Sequence, residues 1–239
     1  MKTTFKVILI VLVATFYSCE KNEVPQVTNS SITSDGVLSG TIVDSTGVAI
    51  DSIDAETYDN SQEYPTILFI GRSGVANNNK FSMSLSIPNL SLGRIGSGFG
   101  GVTISDTTAL GNSITNIYLY KGRNQVGQLI KCNYTSVSLR KLGMTYSRFT
   151  YVDRVTTIKG AHTQLGRYGI YGYVDTLKYV YNVTLKKGWN EMVYKIEKME
   201  NTKMGVTTTR SVTNDIPSDL QLRYFPNNTD FNYYNFMWY

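Results

Sequence analysis

Lys80 to Ile87 reads KFSMSLSI, and its alternation sets Phe81, Met83, Leu85 and Ile87 against Lys80, Ser82, Ser84 and Ser86. Successive side chains of a strand point to opposite faces, so this run is a strand with one face in a core and one in water. Leu177 to Lys186 (LKYVYNVTLK) repeats the pattern, with Leu177, Tyr179, Tyr181, Val183 and Leu185 on the apolar side. Lys187-Gly188 then offers a turn, glycine being free to take positive φ. Asn190 to Lys198 is expected to return as the hairpin partner, with Met192, Tyr194 and Ile196 inward. Trp189, Met192, Val193, Ile196 and Met199 also match a helical spacing, but a tight turn after a clear strand favours the hairpin.

Outward from these runs, further strands are expected at 37–43, 66–70, 101–105, 114–120, 125–133, 145–153, 155–159, 205–213 and 219–225. Turn signals separate them: Ser45-Thr46-Gly47, Asn77-Asn78-Asn79, Lys121-Gly122, Gly160, Asn214-Asp215 and Pro226-Asn227-Asn228. One short helix is expected, at Ser138 to Met144. Frequent short strands with such separators predict an all-β fold of antiparallel β-sandwich type. The β-region covers 35–239, either undivided or as two halves, 35–120 and 121–239. Gly36 to Val43, followed by the turn Asp44 to Gly47, resembles the opening of immunoglobulin-like or transthyretin-like modules.

The chain begins with Lys2 and Lys6, then the apolar run Val7 to Phe16, then Phe16-Tyr17-Ser18-Cys19. An apolar run of this length is too short to span a bilayer and matches a signal-peptide core. The small residue before Cys19 resembles the lipobox of bacterial lipoproteins of the Bacteroidetes type. That resemblance implies a signal peptide over 1–18 and a Cys19 bearing acyl chains such as palmitate. It also implies a mature protein fixed to the outer membrane. The polar stretch through Ser34, with Pro25 and a Ser/Thr/Asn cluster, then reads as a flexible tether over 19–34. Glu20 and Glu23 beside the lipid favour the cell surface over the periplasmic face. The stretch from Tyr151-Val152-Asp153 through Leu185-Lys186-Lys187-Gly188-Trp189-Asn190 to Leu220–Tyr224 resembles the C-terminal half of Bacteroidetes lipoproteins. That likeness supports the location and names no ligand.

The chain has 239 residues, 41% hydrophobic, 17% charged and 12% aromatic, with 2 Cys and 1 His. This is neither a disordered composition nor a disulfide scaffold, and one histidine excludes a His-rich metal site. The formal charge of +5 falls to +3 when Lys2 and Lys6 leave with the signal peptide, too little and too scattered for nucleic acid. Cys132 is then the one remaining thiol, expected as a small buried hydrophobe.

His162, in Gly160-Ala161-His162-Thr163, reads as a loop residue, and no Gly-x-Ser-x-Gly elbow accompanies it. The glycine cluster Gly93 to Gly101 reads as a loop between strands, because a strand rather than a helix follows it. Asp51, Asp54, Glu56, Asp59 and Glu63 read as a solvated acidic edge, without the spacing of a calcium loop. No cofactor and no metal are expected. Asp51-Ser52-Ile53, Asp106-Thr107-Thr108 and Asp175-Thr176-Leu177 resemble the O-glycosylation sequons of exported Bacteroidetes proteins, which makes Ser52, Thr107 and Thr176 acceptor candidates.

The tail Phe231 to Tyr239, FNYYNFMWY, is the most aromatic stretch of the chain. Its rings read as core filling, as an exposed platform for a ligand, or as the terminal strand of an outer-membrane barrel. Tyr233, Tyr234, Trp238 and Tyr239, together with Trp189, are the candidate ligand-binding residues. The expected function is a non-enzymatic, lipid-anchored surface protein that binds an extracellular ligand such as a glycan. Its rivals are an accessory component bound to a surface-protein partner, and a hydrolase whose carboxylate pair no motif marks.

Overall fold

The computed structural model describes residues 30–59, 66–87, 92–96, 99–136, 140–168, 174–202 and 205–227. The expected signal peptide over 1–18, Cys19, Glu63, Asn228 and the tail from Phe231 to Tyr239, with Tyr233, Tyr234, Trp238 and Tyr239, lie outside the described residues.

All regular structure among the described residues is β. The first strands are β1 (Ser31–Ile32), β2 (Val37–Val43), β3 (Ser52–Asp59), β4 (Thr66–Gly74) and β5 (Lys80–Ser84). Next come β6 (Gly93–Arg94), β7 (Val102–Ile104), β8 (Leu110–Ser113), β9 (Asn116–Lys121), β10 (Asn124–Cys132) and β11 (Thr145–Val152). The chain continues through β12 (Thr156–Tyr168), β13 (Val174–Leu185), β14 (Gly188–Thr202), β15 (Gly205–Thr213) and β16 (Gln221–Pro226). Pairing is antiparallel except between β13 and β15 and between β16 and β2. The all-β, mostly antiparallel, layered character expected from the alternating runs is the observed one.

One layer has the neighbour order β5–β2–β16–β10–β9–β3–β4. The Ser86 N–H donates to the Ile70 carbonyl at 2.6 Å and the Ser73 hydroxyl to that of Ser82 at 2.8 Å, which brings β4 back beside β5 and nearly closes this layer on itself. Its interior holds Leu38, Ile42, Ile53, Leu119, Leu129 and Leu222, none more than 4% exposed. β10 and β16 belong to this layer although they lie beyond residue 121, so the pairing interleaves the two sequence halves. The second layer runs β11–β14–β15–β13–β12–β7 around Val152, Leu177, Tyr179, Tyr181, Val183, Leu185 and Val212.

β8 and β9 join the layers. β8 pairs with β11, and the Ile114 N–H still donates to the Phe149 carbonyl at 2.9 Å. One residue later the Thr115 N–H donates to the Glu56 carbonyl at 2.8 Å, and β9 then runs between β3 and β10. β10 and β11 meet at Cys132 and Tyr146, and a wedge opens between them where the strand hands over.

Several expectations are corrected. β14 does not return against β13; β15 inserts between them, parallel to β13 and antiparallel to β14. Residues 140–144 form an extended lead and turn into β11 rather than the end of a helix. Gly160 is not a turn but the middle of β12, with φ +115 and Val102 opposite it on β7. The acidic run at 52–59 is no solvated edge. It is β3, paired on both sides, with Asp54 0%, Glu56 5% and Asp59 8% exposed. The stretch 19–34, expected to be a flexible tether, is part of the fold at its end, because β1 pairs with β2 and the Ser30 carbonyl accepts from the Lys131 ammonium at 2.8 Å. Ile87, expected inward, is 48% exposed, since β5 ends at Ser84.

Candidate functional site

Directly opposed residues of paired strands share a face, so the register lists what each face carries. On the face away from the first core, one row reads Arg72, Asp54, Tyr118, Gln128 and Phe225 across β4, β3, β9, β10 and β16. Beside it lie Phe69, Glu56 and Asn116. Beyond the wedge the same face continues through Tyr146, Tyr194, Val212 and Tyr181. At about 4.8 Å per strand, the path from β4 to β14 measures roughly 24 Å.

Alternation explains why this face is polar. Ile53, Ala55 and Thr57 take the core side of β3, which turns Asp54 and Glu56 to the other. A bulge at Ala55/Glu56 shifts the register of β3 against β4, and such a kink re-aims the side chains next to it. Asp54 is fully buried, and both its oxygens accept from the Arg72 guanidinium, through Nε at 2.6 Å and through Nη2. Glu56 has no such partner among the described residues. Burial foremost, and the Asp54 charge after it, hold its carboxyl above the usual value. Burial also raises the Tyr120 hydroxyl, with Asp54 and Glu56 adding to the rise and Arg72 opposing it. The Phe69 ring opposite Glu56 is 63% exposed, with the Arg72 guanidinium 5.9 Å from its centroid. Phe69, Gly71 and Arg72 line an open depression of about 340 Å³.

The wedge holds a cavity of about 60 Å³, lined by residues of β9, β10 and β11, Gln128, Lys131, Tyr146 and Arg148 among them, and by Tyr134 just past β10. That volume suits a few waters or one small functional group, far below the several hundred Å³ of a ligand pocket. At its far side Tyr146 and Tyr194 stack at 5.0 Å with an interplanar angle of 8°. Arg148 lies over Tyr194 at 5.9 Å and Arg210 over Tyr146 at 5.8 Å, so a cation caps each side of the ring pair. Burial, first among the causes, raises the hydroxyls of Tyr134, Tyr179, Tyr181 and Tyr194, which keeps these rings neutral around the guanidinium groups.

Trp189 is not displayed. It is 4% exposed in the first core, edge-on to Tyr151 at 5.7 Å, because alternation along β14 turns Trp189 to the first core while Met192 and Ile196, inward as expected, pack into others. This burial removes Trp189 from the surface a ligand could reach. The Lys186–Asn190 connection is built for docking. The Asn190 amide donates to the Lys186 and Gly188 carbonyls at 2.7 and 2.9 Å, and the Trp189 N–H donates to the Ser34 carbonyl at 3.0 Å. His162, expected in a loop, lies on β12 with its ring stacked on Phe99 at 5.0 Å. Ser52 and Thr176 are half-buried strand residues, and Thr107 is exposed in a turn closed by Asp106. Among the described residues no His/Cys/Asp/Glu group could hold a metal ion.

Sequence reasoning named Asp54 and Glu56 only as part of a solvated edge, and it passed over Phe69, Arg72, Gln128 and Arg148. The available signal was the Ile53, Ala55, Thr57 alternation, which marks a strand whose other face must carry the acids. No protein-family model matches the chain, and no curated protein or solved structure shows significant similarity to it.

Proposed function

We propose that this protein is lipid-anchored at Cys19, stands on the outer surface of the outer membrane and binds an extracellular glycan without turning it over. The observation that carries the binding reading is the exposed Phe69 ring set opposite Glu56, whose carboxylate has no hydrogen-bond or ion-pair partner among the described residues. A pyranose presents an apolar C–H face to the negative face of a ring, and a carboxylate accepts from neighbouring hydroxyls. Hydrolysis is disfavoured by the state of Asp54. Two carboxylates two residues apart on one strand suit a catalytic pair by spacing, but both Asp54 oxygens are held by Arg72. The anchor rests on the Ser18-Cys19 junction after its apolar run.

Two measurements test the proposal. Labelled palmitate should enter the native chain and be absent from Cys19→Ala. Glycan arrays probed with the lipidated protein should give hits that Phe69→Ala abolishes. Glu56→Gln should weaken those hits roughly 10-fold, the scale of one hydrogen bond to a charged group. An empty array, together with a stoichiometric protein partner after mild solubilisation, would assign the chain to a surface complex instead.

A further inference from the structure

Arg72, Arg154 and Arg223 each hold an aspartate: Asp54, Asp153 and Asp44 in turn. Arg148 is different. It is half-buried and lines the wedge cavity, its guanidinium rests on the face of Tyr194, and no carboxylate pairs with it among the described residues. Gln128, also half-buried, lines the same cavity from β10, and its amide has no hydrogen-bond partner among the described residues. Two groups able to donate, neither with an acceptor among the described residues, thus border one small cavity. Arg210 on the other side of the Tyr146–Tyr194 stack adds a second positive charge, and the buried tyrosines are held neutral. A guanidinium fixed on a ring offers a planar fork that matches a carboxylate or sulfate in two parallel hydrogen bonds.

The sheet face is therefore polarised. Its β3 end offers an acceptor, Glu56, beside an apolar ring. Its wedge end offers donors, Arg148 from β11 and Gln128 from β10, beside a cavity of about 60 Å³ that suits a functional group and not a sugar ring. Resting on the glycan reading above, we infer that the ligand is an acidic glycan, with a carboxylate or sulfate substituent seated on Arg148 and Gln128 at the wedge and a neutral ring of the same chain on Phe69. The face spans several strands, so an oligosaccharide rather than a single sugar is needed to reach both ends.

The test uses the full lipidated chain in detergent micelles and three oligosaccharide probes of equal length: oligogalacturonate, sulfated galactan and neutral galactan. Calorimetry is expected to give at least 10-fold tighter binding for one acidic probe than for the neutral one, and which of the two wins separates carboxylate from sulfate. Arg148→Gln should erase that preference, weakening the preferred acidic probe to the level of neutral galactan, and Arg148→Lys should restore part of it, since charge returns without the fork. If Arg148→Gln does not fold, Gln128→Leu, which removes the second donor, should lower the preference several-fold. Neutral galactan binding as tightly as both acidic probes, with Phe69 still required, would overturn this inference and leave the glycan reading standing. An acidic preference that survives Arg148→Gln would overturn it as well, leaving net charge as the cause. No binding of any probe, and an empty array, would remove both.

Discussion

Lys131 and Glu191 form an ion pair at 2.8 Å with both side chains 3% exposed, in a core otherwise made of Leu129, Phe149, Tyr151 and Trp189. Two desolvated charges gain little over apolar residues of the same volume, yet either one left alone costs about 3–5 kcal/mol. Lys131→Met and Glu191→Leu are each expected to lower unfolding free energy by about that much, and the double variant to recover most of the loss. Urea denaturation of the cycle reads it directly. Gly188 is the other constrained position. Its φ is +99, and a Cβ there would run into the Ser34 carbonyl oxygen. Gly188→Ala should cost about 1–3 kcal/mol of stability as strain and displace the Trp189 N–H bond to Ser34, visible as a red shift of Trp189 emission. Glu56 illustrates the opposite sign. Its folded carboxyl titrates above the ordinary value of 4.5, so the stability it contributes is complete below that pH and is lost as pH rises through the folded value. Glu56→Gln should therefore be as stable as the parent or more so at neutral pH while binding ligand less well, a balance typical of binding sites. Paired thermal-melt and binding curves would show the split.

Strands were legible where alternation was undisturbed. Val37–Val43 and Gly205–Thr213 end where their alternation and flanking turns place them, and Leu177 to Leu185 buries every second residue. β3 was illegible because acids at alternate positions look like a wet edge; their burial depends on β4 and β9 lying to either side, which local sequence does not encode. The β13–β14 connection was legible as a turn but not as a topology. Lys187-Gly188 reverses the chain whether the next strand pairs directly or leaves room for β15, and the choice is made by Thr208, Arg210 and Val212, buried between the two neighbours. Gly160 shows the same limit: positive φ signals a turn in isolation, whereas here it lets β7 approach, the Gly101 carbonyl lying 2.6 Å from where a Cβ would sit. The site was the least legible part. Phe69 has no sequence signature beyond an apolar run, and the isolation of Arg148 and Gln128 follows from strands parting at the wedge, a relation between residues 114–117, 128–131 and 146–149.

Across the molecule, burial withholds protons from ionising. The Cys132 thiol is pushed up to about 12, chiefly by burial, and Tyr134, Tyr181 and Tyr194 also lose their protons less readily when folded. Groups with raised folded values contribute stability below their unfolded values and lose it as pH rises, so the thiol's share is intact below 9.0 and falls away toward 12. The melting temperature is expected to hold level to about pH 9 and to drop steeply above it, where the tyrosines join the thiol. Iodoacetamide at pH 8 should leave Cys132 untouched in the folded chain and label it in urea, which mass spectrometry would register.

The parallel contact between Ile42–Val43 on β2 and Leu222–Arg223 on β16 carries a further consequence for biogenesis. A polypeptide delivered vectorially, N-terminus first, presents β2 and β10 long before the strand that must lie between them. Until residues 221–226 arrive, the first layer is missing a wall, and both flanking strands offer bare edges to any neighbouring chain. The first layer is therefore completed only when the last of its strands has been made, and those two edges stay open for most of the chain's synthesis.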